Sequence, residues 1–323
     1  MSSRRDMEAY IGAMLDGKMR EEEAVTVLQR IEKAGPTAED IAGAVDAVMA
    51  RSIPFPHIPD AIDCCGTGGD YQHTYNISTA AAIVVAACGV KVAKHGNKAI
   101  TSQSGSADVL EALGVHTSLS PQKCEAVLNE VGICFLFAPA FHPGFAGMAA
   151  LRKTIGHRTI FNVLGPLCNP ARVNRQLIGV YDKKLCGPVA GAAKLLGSQH
   201  VMVVHGEDGC DEVSITGPTI AVELRDGELH DVLIEPKRAG LHPQPLEKIK
   251  GGDAQENAEA MLEIFDGAEN AYADAVIMNA AVALYVSGKA QALRGAATLA
   301  QDVLSLGEAR RVLRHLIEAS GRP

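Results

Sequence analysis

The stretch Gly66-Thr67-Gly68-Gly69-Asp70, followed by Asn76-Ile77-Ser78-Thr79, has the residue types to hold an anion. Glycine lacks a Cβ, so the backbone N–H groups of such a turn can close on phosphate oxygens. A helix starting near Ser78 would aim its unpaired N–H groups at the same point, and the hydroxyls of Ser78 and Thr79 would add donors. A second polar run, Lys94-His95-Gly96-Asn97-Lys98-Ala99-Ile100-Thr101-Ser102-Gln103-Ser104-Gly105-Ser106-Ala107-Asp108, combines lysines, hydroxyls and glycines and is again suited to phosphate. Taken one residue at a time it is a solvated loop; its density of Gly, Ser and Lys is what points to a ligand. The run His205-Gly206-Glu207-Asp208-Gly209-Cys210-Asp211-Glu212 contributes adjacent carboxylates. Mg²⁺ takes few protein carboxylates and fills its other positions with phosphates and water, so Asp211 and Glu212 suit it. Alone, the pair is a solvated acidic turn; beside two phosphate loops it becomes a metal site. Arg152 has the forked donors to grip a substrate carboxylate. No nucleophile is paired with a base: there is no G-x-S-x-G, and no Cys is spaced with a His.

These clusters need a scaffold that brings them side by side. Residues 6 to about 52 read as three helices, with Ala24, Val27, Leu28 and Ile31 on one face, a stop at Gly35-Pro36, and Thr37 with Asp40 as a cap pair. The proline-rich piece Ile53-Pro54-Phe55-Pro56-His57-Ile58-Pro59 reads as a linker. Beyond it the pattern alternates. Strands are expected at 61–65, 89–93, 131–137, 176–181, 201–205 and 219–224. Helices are expected at 78–88, 106–113, 121–130, 146–155, 185–196, 255–265 and 270–287. Continuously apolar strands such as Val201 to Val204 imply a sheet covered on both faces. The fold class is therefore α/β, with an N-terminal helical domain at 1–60 and a larger α/β domain at 61–323 built on a central, mostly parallel sheet. In such a sheet ligands bind beyond the carboxyl ends of the strands, which is where the loops in question fall.

Composition narrows the function classes. The chain has 323 residues, 47% of them apolar, with a formal charge of −8, 4% aromatics and no Trp. That balance lacks the basic footprint and stacking platforms of a nucleic-acid binder. An acidic protein that binds a polyanion needs local cations or metal, which the two lysines and the carboxylate pair provide. The eight cysteines form no C-x-x-C pair, so zinc and redox readings have little support. The polar start and the cysteine usage point to a reducing cytoplasm, and no run of 18 strongly apolar residues suggests a membrane span.

The motifs G-T-G-G-D, N-I-S-T, K-H-G-N, S-G-S-A-D-V-L-E-A-L-G, R-T-I-F-N-V-L-G-P-L-C-N-P and H-G-x-D-G-x-D-E-V-S resemble, in order and spacing, the anthranilate phosphoribosyltransferase family. The resemblance covers essentially the whole chain. It implies a nucleoside phosphorylase/phosphoribosyltransferase-like fold and transfer of the phosphoribosyl group of 5-phosphoribosyl 1-pyrophosphate (PRPP) to the amine of anthranilate, in tryptophan biosynthesis. It also implies a homodimer formed through the helical domain, with segments near 145–170 returning to pack on that domain. Gly66, Gly69, Asp70, Thr74, Asn76, Ile77, Ser78 and Thr79 resemble the PRPP loop. Lys94, His95, Gly96, Asn97, Lys98, Ala99, Ile100, Thr101 and Ser102, with Ser106, resemble its second wall. Gly66, Asn97 and Arg152 resemble the anthranilate site, and Lys94, Asn97 and Arg152 are the implied catalytic residues. Ser78, Asp211 and Glu212 resemble ligands for two Mg²⁺ ions per chain.

Departures from the family pattern stand at Tyr71-Gln72-His73, where a Gly-led triplet is usual, at Lys98, usually Arg, and at Gln103, often Lys. They bear on loop stiffness and phosphate contacts rather than on the reaction. Two other functions share the architecture. A nucleoside phosphorylase would use inorganic phosphate and need neither Arg152 nor the Asp211/Glu212 pair. A non-catalytic nucleic-acid-binding relative would not need an intact set of phosphate and metal residues.

Overall fold

The structure is a computed structural model describing residues 3–99, 103–148, 151 and 154–322. It opens with the helices α1 (Arg4–Leu15), α2 (Glu21–Ala34) and α3 (Ala38–Met49). Thr37 caps α3 in a reciprocal box: the Asp40 N–H donates to the Thr37 hydroxyl at 3.2 Å, and the Thr37 N–H donates to the Asp40 carboxylate at 3.0 Å. Alternation then follows: β1 (Ile62–Gly66), α4 (Ile77–Ala87), β2 (Val92–Gly96), α5 (Ser106–Ala112), α6 (Pro121–Val131), β3 (Ile133–Phe137), β4 (Arg175–Gly179), α7 (Cys186–Leu195) and β5 (His200–Gly206). A hairpin, β6 (Thr219–Arg225) and β7 (Glu228–Ile234), precedes α8 (Ala254–Phe265), α9 (Ala271–Val286), α10 (Leu293–Ser305) and α11 (Glu308–Gly321).

The sheet has seven strands in the order β3-β2-β1-β4-β5-β6-β7. The pairs β2–β3, β1–β2, β1–β4 and β4–β5 are parallel, so these five strands end at one edge; β6 and β7 are antiparallel. Side chains alternate between two cores, as a pleat demands. Leu177, Met202 and Val204 pack with α4, α6 and α9 on one face. Ile178, Val180, Val201 and Val203 pack on the other face with α7, α1–α3 and the segment carrying Ile160, Phe161, Val163 and Leu164. Short 3₁₀ turns at Pro143–Met148, Ile160–Asn162 and Gly165–Cys168 touch α1, α2 and α3 respectively. The returning segment and the N-terminal helices thus share one apolar layer.

Several expectations need correction. The strand expected at 89–93 begins only at Val92, because Gly89 (φ +82°) belongs to the turn that ends α4. Lys94 and His95 therefore lie inside β2, buried, rather than on the loop after it. The helix expected at 146–155 differs at its start: Pro143–Met148 is 3₁₀, while Leu151, Thr154 and Ile155 are helical. Strand β7 is not among the expected strands, since Glu228, His230 and Asp231 hide it from an apolar-run reading. Its signal is the dipeptide Asp226-Gly227, both at positive φ (52° and 78°), as the two-residue turn of a right-twisted hairpin requires. Helices α10 and α11 are not among the expected helices either, although Ala296, Ala297, Ala300 and Leu304 mark a clear buried stripe on the first.

Candidate active site

Parallel strands bring three loops to the carboxyl edge of the sheet. They follow β1, β2 and β5, and their junction is made by glycines. Gly66 and Gly179 are register partners at the ends of β1 and β4. A Cβ on Gly179 would overlap the Asp211 carbonyl, and one on Gly66 would crowd the Asp211 carboxylate. The two bare positions form the floor on which the acidic turn rests.

The first and third loops meet through hydrogen bonds. The Gly68 N–H donates to Asp211 Oδ2 at 2.6 Å, and the Asp211 N–H donates to Asp70 Oδ2 at 3.3 Å. Glu212 Oε1 accepts from the Ser78 N–H at 3.1 Å. Ser78 lies in the first turn of α4, whose N-cap Asn76 makes no side-chain cap bond, so Glu212 takes the cap's place at the positive end of the helix. Gly66, Gly68, Asp70, Ser78, Asp211 and Glu212 therefore form one cluster. Asp211 and Glu212 are half-buried, and loss of water raises both carboxyls. The neighbouring charge of Asp70 adds to the effect on Asp211, which is pushed up to about 7. The charge of Asp211 adds to that on Glu212, which reaches about 8 despite Lys94 nearby. Adjacent carboxylates that resist ionising together present hard oxygen donors short of positive charge, which suits Mg²⁺. Among the described residues no three His, Cys, Asp or Glu side chains converge into a metal cage, so other ligand oxygens are needed to complete a coordination shell.

The second loop joins the first through Asn76. Asn76 Nδ2 donates to the Ser104 carbonyl at 3.1 Å, and Asn76 Oδ1 accepts from Ser104 Oγ at 3.2 Å and from Asn257 Nδ2 at 2.9 Å. Asp108 accepts from the N–H groups of Ala99 and Gly105 at 2.8 and 2.9 Å, tying both residues to α5, of which Ser106 is the first residue. A Cβ on Gly96 would press on the Phe135 ring. Thr74 forms a single antiparallel bridge with Lys250, tying down the far end of the glycine loop.

Not every expected residue points at the cluster. Lys94 is buried beneath it and donates to the Cys64 carbonyl at 2.6 Å. Lys98 pairs with Glu111 on α5 at 2.9 Å. Asn97 turns back to accept from the Lys98 N–H at 2.8 Å. Ile77 and the Thr79 hydroxyl are in the core, the latter with no hydrogen-bond partner. His95 Nδ1 lies 3.0 Å from the Gly165 carbonyl while Nε2 has no partner, and its ring meets that of His142 edge-on. Burial pulls His95 down to about 3. Arg152, Ile100, Thr101 and Ser102 lie outside the described residues.

Sequence reasoning missed a polar girder below the loops. Asp63, buried in β1, accepts from the His95 N–H at 3.2 Å and from Asn169 Nδ2 at 2.8 Å; burial pushes its carboxyl up to about 6. The available signal was a carboxylate inside the apolar run Ala61–Cys65. The meeting of Arg158, Tyr71 and Tyr181 was not foreseen either, because it depends on three separate segments.

A profile described as "Glycosyl transferase family, a/b domain" matches residues 58–310. The anthranilate phosphoribosyltransferase of Symbiobacterium thermophilum is 45% identical over 316 residues, covering 98% of this chain and 93% of that protein. The crystal structure of the Thermus thermophilus enzyme of that name superposes with a TM-score of 0.95 at 36% identity, covering 100% of this chain and 97% of the other. The Saccharomyces cerevisiae enzyme, solved in complex with PRPP and Mg, gives a TM-score of 0.88 at 32% identity, covering 98% and 93%.

Proposed function

The chain belongs to the anthranilate phosphoribosyltransferase family, and from that premise we propose how its residues perform the transfer. The enzyme joins the amine of anthranilate to C1 of the ribose of PRPP and expels pyrophosphate, giving N-(5-phosphoribosyl)anthranilate for tryptophan biosynthesis. One observation carries the assignment of the site: Asp211 and Glu212 reach from the third loop to the amide of Gly68 and to the first turn of α4. An anion-binding turn, a helix start and a carboxylate pair therefore share one edge.

The reaction needs no covalent nucleophile from the protein. The bond from C1 to pyrophosphate breaks ahead of full bonding to the amine, so the protein must align the substrates and stabilise the departing charge. The turn Gly66 to Asp70 and the helix start at Ser78 and Thr79 would hold the pyrophosphate, with Thr74 and Asn76 fixing the loop. Lys94 supplies a positive field from below. Gly96, Asn97, Lys98, Ala99, Ile100, Thr101, Ser102 and Ser106 would form the second wall, with the buried His95 behind it. Asn97 would have to swing from the Lys98 N–H to meet the amine, and Arg152 would orient the carboxylate of anthranilate, with Gly66 between the substrates. Asp211, Glu212 and Ser78 would hold Mg²⁺, at two ions per chain. When bound, the metal neutralises negative charge on the leaving group. An aromatic amine bonded to carbon sheds its proton readily, so no general base is assigned. The chain works as a homodimer joined through an N-terminal helical domain, residues 1–60, with the 145–170 segment returning to it. A cytoplasmic setting fits the free thiols; among the described residues no helix is long and apolar enough to cross a membrane.

The test is optical. Anthranilate emission should fall only when PRPP and Mg²⁺ are both present. The paired change Asp211→Asn with Glu212→Gln should cut turnover at limiting Mg²⁺ by at least about 100-fold, the scale of losing transition-state charge stabilisation, with an unchanged circular dichroism spectrum. Full activity of that variant would remove the metal assignment.

A further inference from the structure

The glycine loop is gripped from outside by a cation held between two rings. The Arg158 guanidinium carbon lies 4.8 Å from the ring centre of Tyr71 and 4.1 Å from that of Tyr181. The same guanidinium donates to the Gly69 carbonyl. Tyr71 is part of the loop, is 59% exposed, and holds a φ of +60° that favours glycine. A large side chain in strained backbone on the surface calls for a compensating contact, and the guanidinium face provides one.

The other parts of the clamp are fixed. The Tyr181 N–H donates to Thr67 Oγ1 at 3.2 Å, and the Thr67 N–H donates to the Gly179 carbonyl at 2.9 Å. Arg158 leads into a capped turn in which the Thr159 N–H donates to Asn162 Oδ1 at 3.0 Å, and Ile160 and Phe161 sit in the apolar layer shared with the N-terminal helices. The arginine thus projects from a rigid base. Holding the Gly69 carbonyl outward fixes the adjoining peptides, so that the Gly68 N–H and the Asp70 carboxylate face Asp211.

We propose that Arg158 is a positioning residue for the phosphate-binding loop, with Tyr71 and Tyr181 as its two jaws. Resting on the function proposed above, this assigns to Arg158 the preorganisation of the PRPP half of the site and no contact with anthranilate. Removing it leaves the loop to be ordered by the substrate itself, which raises the Michaelis constant for PRPP and spares the chemical step.

Steady-state kinetics of Arg158→Ala, Tyr71→Gly, Tyr71→Phe and the Arg158→Ala/Tyr71→Gly double variant test this, with thermal unfolding of each. Arg158→Ala should raise KM for PRPP about tenfold, the scale of one charged hydrogen bond. Its kcat and its KM for anthranilate should change by less than about threefold. Tyr71→Phe should match the wild type. The double variant should be no worse than Arg158→Ala, because both changes remove one interaction. An unchanged KM for PRPP, equal effects on both substrates, or strictly additive losses would overturn the proposal. Should Arg158→Ala fail to fold, the exposed Tyr71 pair decides alone: Gly must differ from wild type in KM for PRPP, and Phe must not. A wild-type enzyme with no PRPP-dependent turnover would instead strike at the function itself.

Discussion

At the scale of single residues, the buried polar groups under the loops are as informative as those facing solvent. Lys94, His95 and Asp63 are all buried in adjoining strands. His95 shows the consequence most simply. Burial lowers its pKa from 6.5 to about 3, with His142 and the positive charge of Lys94 adding to the effect. Between those values the unfolded chain binds a proton that the folded chain refuses. Stability from this group is therefore present at neutral pH and is lost as pH falls below 6.5, at about 1.4 kcal/mol per pH unit once the unfolded imidazole is fully protonated. His95→Gln removes that slope. The gap in unfolding free energy between wild type and variant should narrow by about 1.2 kcal/mol from pH 6 to pH 5 in urea titrations. A gap that stays constant over that range would mean that His95 accepts its proton normally in the fold.

At the scale of elements, site geometry depends on where strands stop. β1 and β4 end in glycines that lie side by side, and the acidic turn after β5 lies over them. Gly179→Ala drives a methyl into the Asp211 backbone carbonyl, which no rotamer change can relieve. The turn must lift, so the variant should lose about 1–3 kcal/mol of stability, as other overpacked sites do, and most of its Mg²⁺-dependent turnover. Gly187→Ala is the control: a Cβ there meets open space on the exposed side of α7, and neither stability nor activity should fall. If both substitutions behave alike in thermal unfolding and in the emission assay, the glycine floor is not what sets the turn.

At the scale of the whole molecule, residues of the N-terminal helices and Met148, Leu151, Ile160, Phe161, Val163, Leu164 and Cys168 share an apolar layer with one sheet face. The same layer carries the base of Arg158. A dimer through the helical region would then brace the wall of each active site. Sedimentation should show a single species of twice the 33.9 kDa chain mass at assay concentrations. A monomer with full activity would disprove that arrangement.

The amino-acid sequence by itself determined the α/β alternation, the Thr37 cap, the position of three polar loops after strands and the family. Those signals are local: glycine-rich turns, capping pairs, apolar runs and contiguous motifs are set by neighbours a few residues apart. It determined less about β7, whose polar residues Glu228, His230 and Asp231 hide the strand from an apolar-run reading. It also left the orientation of Lys98 and Asn97 open, since a loop side chain chooses among partners that only the fold supplies, here Glu111 and the loop's own backbone. Only the tertiary structure decided that Lys94 lies beneath the carboxylates, that Asp63 and Asn169 tie β1 to the returning segment, and that Arg158 sits between Tyr71 and Tyr181. Each of these contacts spans tens of residues of chain. Such pairings follow from strand order and packing of layers, which no stretch of sequence encodes on its own.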